Sequence, residues 1–179
     1  MTSKQKLRTS DMTHIALFVV LMAICSWIVI PAPLPFTLQT FAVFFALLTL
    51  GGKRGCICIL TYLLMGAAGL PVFSGFQGGL GTLLGPSGGY LSGFAVAAII
   101  FRLITARRTA DSRTLKIVGC LIGLLGCYAC GTLWYMHLYG GADSLWFALS
   151  VCVLPFIIPD LVKLLLAFLL SSRLNHHST

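Results

Sequence analysis

The chain contains no glutamate, and aspartate occupies only four of its 179 positions: 11, 111, 143 and 160. Charged residues make up 9% of the chain, against roughly 25% in a soluble domain. With 58% of residues apolar, there is too little polar surface to cover a water-exposed globule. Lipid is therefore the expected solvent. The net charge of +8 in a soluble protein suggests nucleic acid. Here the bases stand in short clusters between apolar runs, the pattern of a membrane protein, so no nucleic-acid partner is expected. No internal repeat, low-complexity segment or GxxxxGK[ST] motif occurs, so the chain does not hydrolyse ATP by a P-loop.

Metal and redox chemistry are also thinly supplied. Cys127 and Cys130 form a CxxC, but no histidine or second CxxC stands near to complete a tetrahedral set. Of the seven cysteines, Cys25, Cys56, Cys58, Cys120, Cys127 and Cys130 lie in or beside apolar runs and read as small apolar helix residues, and no metal or cofactor is expected. The N-terminus places Lys4, Lys6 and Arg8 before an apolar run from Ile15 to Ile30, which resembles a signal peptide. No small-x-small cleavage site follows, and bulky Ile24 precedes Cys25. The run reads as a retained first helix.

What is present in quantity is apolar sequence. A span needs about 20 such residues, with shorter runs tolerated. Six candidates emerge at about 12–30, 37–52, 54–70, 87–105, 115–138 and 145–171. They leave no room for a separate soluble domain, so residues 1–179 form a single membrane unit. The bases then fall on one side if the spans alternate. Lys4, Lys6 and Arg8 precede the first span, and Lys53 and Arg54 separate the second from the third. Arg102, Arg107, Arg108, Arg113 and Lys116 surround the link from fourth to fifth, and Arg173 follows the sixth. The other links, 31–36, 71–86 and 139–144, contain no Lys or Arg. The positive-inside rule predicts an all-α protein of six transmembrane helices with both termini in the cytoplasm, in the cell membrane.

Lys163 breaks this pattern. It lies inside the last span, three residues after Asp160, in PFIIPDLVK (155–163). Charges in lipid cost several kcal/mol, so such residues usually face a cavity and mark function. At i and i+3 the two share a helix face. Pro155 and Pro159 suggest a helix start, which would set Asp160 near the positive end of a helix dipole. A structural ion pair is the plainer alternative.

A second unusual stretch is GFQGGLGTLLGPSGGYLSGF (75–94), with eight glycines, one proline and no charge. It lacks the lysine of a phosphate loop. GPSG (85–88) matches the GxSG of rhomboid-type proteases, which makes Ser87 the nucleophile of an enzyme alternative. The outer-side histidine available to it is His137. Gly85, Gly89, Gly93 and Ala97 recur every fourth residue, as do Gly119, Gly123, Cys127 and Gly131. That spacing makes flat helix-packing stripes. Gly75 to Gly88 also suits irregular backbone lining a cavity. The link PAPLPFTLQTF (31–41) is similar: prolines stiffen it, and Thr37, Gln39 and Thr40 offer neutral hydrogen bonds.

PFTLQTFAV (35–43), YLLMGAAGLPVFSGFQGGLGTLLGPSGGYLSGF (62–94) and PFIIPDLVK (155–163) closely resemble the BioY family, the biotin-specific S-components of energy-coupling factor (ECF) transporters. The resemblance runs through essentially the whole chain. It implies capture of biotin from outside and partnership with a transmembrane coupling protein and two ATPases. It implies that Asp160 accepts from the ureido N–H groups and that Lys163 donates to a ligand oxygen. Gly79, Gly88 and Tyr90 follow as site residues, then Gln39 and Thr37, with Phe36, Phe73 and Tyr90 covering the bicycle. An S-component for another small vitamin is the nearest rival. One departure concerns the AxxxA pattern by which S-components dock the coupling protein. Ala16 is followed at i+4 by Val20, leaving Ala16 and Ala23 as remnants of that patch.

Overall fold

A computed structural model describes residues 8–30, 36–106, 112–139 and 145–177. Lys4, Lys6, the prolines of 31–35, Arg107, Arg108 and the link 140–144 lie outside the described residues. The elements are α1 (Thr9–Trp27), β1 (Val29–Ile30), β2 (Phe36–Thr37), α2 (Gln39–Ala67), α3 (Leu80–Leu84), α4 (Gly88–Ala106), α5 (Arg113–Leu138), α6 (Leu145–Cys152) and α7 (Leu154–His177), with a single 3₁₀ turn at Ser74–Phe76. Among the described residues, five helical stretches are long and apolar enough to cross a membrane, the last running from Trp146 to Leu174.

The second stretch is not straight. Gly51 adopts φ 78° and ψ 173°, a backbone state open to glycine and strained for other residues. A Cβ on Gly55 would lie 3.1 Å from the Cα of Leu47, and Gln39 Nε2 donates to the Tyr62 hydroxyl at 2.7 Å. At about 1.5 Å rise per residue, a continuous helix would hold residues 39 and 62 about 35 Å apart. α2 is therefore a helical hairpin with its tip at Gly51, and Lys53 and Arg54 follow directly. The chain reverses where the sequence places the break between its second and third segments.

α2 packs against α1, α4 and α7, and α4 packs along α5. Met22, Ala42, Leu47, Ile59, Tyr62 and Phe101 are fully enclosed between them. The α4–α5 seam is made of small residues, as the period of four predicts. A Cβ on Gly93 would lie 2.9 Å from Cys127 Cα, and one on Gly123 would lie 3.2 Å from Ala97 Cβ. Close backbone approach of this kind is how membrane helices gain packing contact without a hydrophobic driving force. Gly85 falls outside the seam, in the turn after α3. The outward faces remain apolar: Leu17 is 65% exposed and Ile158 75%. All seven cysteines are free thiols, and all but Cys130 are buried.

Three details depart from the sequence expectation. A two-residue antiparallel ribbon pairs Val29 with Thr37 and Ile30 with Phe36, so the chain is not purely helical. The last apolar run is two helices, joined at Val153. Ala23 is turned into the core at 6% exposure, so of the two remnants only Ala16 lies on the exposed face of α1.

Apart from Asp160 and Lys163, the described charged residues gather at one end. Arg54 Nη2 lies 3.1 Å from Asp11 Oδ1, which ties the hairpin tip to the start of α1. The Arg8 amide donates to Asp11 Oδ2 at 3.1 Å, closing the first turn of α1. Gly52 packs beside Arg102 and Thr105 near the end of α4.

Candidate binding site

At the opposite end, β2, the starts of α2 and α4, the middle of α5 and the first half of α7 surround a cavity. Six of the nine sequence-predicted site residues line it: Thr37, Gln39, Phe73, Tyr90, Asp160 and Lys163. Phe36 stands directly behind, stacked on the lining residue Phe156 with ring centroids 5.9 Å apart. Gly79 and Gly88 do not line the cavity. Gly79 sits at φ 89° ahead of α3, and its amide donates to Gly66 O at 2.7 Å. Gly88 lies where a Cβ would be 3.3 Å from Trp134 Nε1.

The polar centre is the pair on α7. Lys163 Nζ donates to Asp160 Oδ1 at 2.8 Å. The Tyr128 hydroxyl on α5 donates to Asp160 Oδ2 at 2.8 Å. Lys163 Nζ also lies 3.9 Å from the centroid of the Phe36 ring, a cation–π contact. Asp160 is 3% exposed and Lys163 5%. A buried ion pair of this kind is sustained only when its remaining hydrogen-bonding capacity is also met. Tyr128 meets part of it on the carboxylate, and the Phe36 face shields the ammonium. The helix-end expectation for Asp160 does not hold. α7 begins at Leu154, which puts Asp160 in the second turn, beyond the reach of the dipole's terminal charge. Local contacts hold the carboxylate instead.

The opposite wall is a relay of neutral hydrogen bonds. Gln39 donates to Tyr62, whose hydroxyl donates to Val72 O at 2.8 Å. Ser26 Oγ on α1 donates to the same carbonyl at 2.6 Å. Trp27 Nε1 donates to Pro71 O at 2.9 Å, and its ring stacks on Phe76 at 4.8 Å. The end of α1 thus clamps the glycine-rich loop, and the loop presents Phe73 and Ser74 to the cavity. The Phe73 ring fits against Gly66, where any Cβ would collide with it. Tyr90 is fixed by donating to the Cys152 carbonyl at the end of α6.

Sequence reasoning missed Tyr128, Phe156, Phe94 and Leu124 as cavity residues. For Tyr128 a signal existed, since a phenol inside an apolar span needs a hydrogen-bond partner. The others carry none beyond being apolar in an apolar chain. Ser87 also lines the cavity, and it forms no hydrogen bond with a histidine among the described residues. The ring of His137 lies beside Trp134 instead.

A helical membrane protein with an enclosed, charge-containing cavity at one end defines a class, the small-ligand-binding membrane subunits. The comparisons narrow it. The whole chain, residues 1–179, matches the BioY family. It is 40% identical over 163 residues to the biotin transporter BioY of Thermotoga maritima, covering 89% of this chain and 92% of that one. It is 37% identical over 170 residues to the probable biotin transporter BioY of Pyrococcus horikoshii, covering 94% and 98%. The fold matches a solved S-component for biotin from an ECF-type ABC transporter with a TM-score of 0.82 at 28% identity, covering 98% of this chain and 95% of that one. The chain belongs to the BioY family. Its relatives are named as transporters, so the protease reading of Ser87 falls, and the chain is not an enzyme.

Proposed function

We propose that the chain is the substrate-binding subunit for biotin uptake, taking biotin into the cavity around Asp160 and Lys163. The observation that carries this reading is the buried ion pair lining a cavity, in a chain whose relatives are biotin transporters. A ureido ring offers two N–H donors and one carbonyl acceptor. Each Asp160 oxygen still has a lone pair after accepting from Lys163 or Tyr128, so the carboxylate can take a ureido N–H. Lys163 retains ammonium hydrogens for a ligand oxygen. Phe73, Tyr90 and Phe156 supply aromatic surface for the apolar bicycle, with Phe36 backing Phe156, while Thr37 and Gln39 supply neutral polar contacts. Gly79 and Gly88 serve through the backbone that shapes the loop and the start of α4.

Counting the α2 hairpin as two spans gives six, with both termini in the cytoplasm and the cavity facing outward in the cell membrane. The basic end then faces the cytoplasm, in keeping with the positive-inside rule. The ATP-driven step belongs to partners, namely a transmembrane coupling protein and two ATPase subunits, because the chain has no P-loop.

Equilibrium binding of labelled biotin to the purified protein tests the reading beside Asp160→Asn and Lys163→Ala. Tight binding by the parent, lost in both folded variants, is expected. A folded parent that ignores biotin but binds another vitamin from a panel would replace biotin as the ligand.

A further inference from the structure

A second cleft, of about 560 Å³, lies at the charged end of the bundle between the α2 hairpin tip, α4 and the start of α5. Lys53, Arg102 and Lys116 line it, one from each of these elements, beside Thr49, Leu50 and Phe101. No described lining residue is acidic. In sequence, 102 to 116 carries five bases against the single acid Asp111. Thr49 adds an independent observation. Its hydroxyl oxygen is shut off from solvent and has no hydrogen-bond partner among the described residues. Helical threonines ordinarily bond back to a carbonyl of the preceding turn, and this one instead leaves a donor at the wall of a cationic cleft. Gly52 fixes the spacing, since even a Cβ there would lie 2.8 Å from Thr105 Oγ1.

We propose that this cleft binds the phosphodiester headgroup of an anionic phospholipid. Phosphate oxygens take charge-assisted hydrogen bonds from Arg and Lys and can also accept from the Thr49 hydroxyl. The apolar part of the wall favours a lipid over free phosphate. Leu50 lines the cleft, and Ile99 and Leu103, 48% and 58% exposed, stand near Arg102 along α4. That surface suits acyl chains and offers nothing to an inorganic ion. Basic pockets between spans at the level of the membrane surface are suited to anionic headgroups.

The test uses the full chain in neutral detergent, titrated with phosphatidylglycerol or phosphatidylcholine, with retained lipid counted by native mass spectrometry. Arg102→Gln, Lys116→Gln and Thr49→Val are compared with Arg173→Gln, a base on α7 outside the cleft. A single retained phosphatidylglycerol is expected, with phosphatidylcholine lost. Retention should fall about fivefold for each cleft base removed, fall less for Thr49→Val, and stay unchanged for Arg173→Gln. Arg102→Lys, which keeps the charge, should retain lipid and guards against a folding artefact in Arg102→Gln. Equal retention of both lipids, or equal losses in Arg102→Gln and Arg173→Gln, would overturn the proposal. Inorganic phosphate in large excess separates the two sources. Undisturbed phosphatidylglycerol supports a lipid site, whereas its displacement assigns the cleft to free phosphate.

Discussion

Asp160 and Lys163 stand three residues apart on α7, each almost fully withdrawn from solvent. Breaking such a pair by removing one partner costs about 3–5 kcal/mol, because an uncompensated charge stays buried. Lys163→Met should therefore lower the thermal midpoint in detergent and abolish biotin binding together. Asp160→Asn combined with Lys163→Met removes both charges, so the midpoint should recover while binding stays lost. A double variant as unstable as the single one would mean that the pair's charge is not what destabilises Lys163→Met. Tyr128→Phe probes a different contact, since it removes only the donor to Asp160 Oδ2. Hydrogen bonds to charged groups contribute about 1.5–3 kcal/mol, so the affinity should drop at least about tenfold, measured by the same equilibrium binding. Asp160 and Lys163 were legible in the sequence because charge inside an apolar span stands out. Tyr128 left a weaker signal: a phenol in such a span needs a hydrogen-bond partner, but it also reads as a membrane-interface or packing residue, and its partner lies 32 residues away.

Element by element, the legible features were those that repeat or interrupt. The period-four glycines announced the α4–α5 seam, and GGKR at 51–54 announced the hairpin tip. The division of the last apolar run at Val153 was legible only in part: residues 145–154 are almost uniformly apolar, and the signal was Pro155, which falls in the first turn of α7. The two-residue ribbon was not legible, being too short to leave an alternating pattern. The seam yields a direct prediction. Gly93→Leu should push α5 away from α4 and cost both stability and binding, since Cys127, against which Gly93 packs, also lines the cavity. Gly81→Ala is the matched control, because nothing lies within 4 Å of a Cβ there. Thermal midpoints and biotin affinity of the two variants should diverge. Equal behaviour would show that the seam tolerates separation.

For the whole molecule, the polarity of the two ends is the governing feature: a cavity at one and the basic residues at the other. Reporter fusions at either terminus check the proposed orientation. A C-terminal alkaline phosphatase should stay inactive and a C-terminal green fluorescent protein should fluoresce, and an active phosphatase would reverse the topology. The positions of the bases were legible from the sequence alone. Their convergence on a cleft was not, because it depends on how three helix ends meet.

The thiols have a practical use. Six of the seven are buried, spread over α1, the second arm of the α2 hairpin, α5 and α6, and no disulfide holds them. A thiol reagent added to the untouched protein should mark Cys130 first and the rest only when their helices part, since buried groups react through local opening. The order of labelling would then serve as a clock, recording which helices separate early and which stay together, with no residue introduced for the purpose.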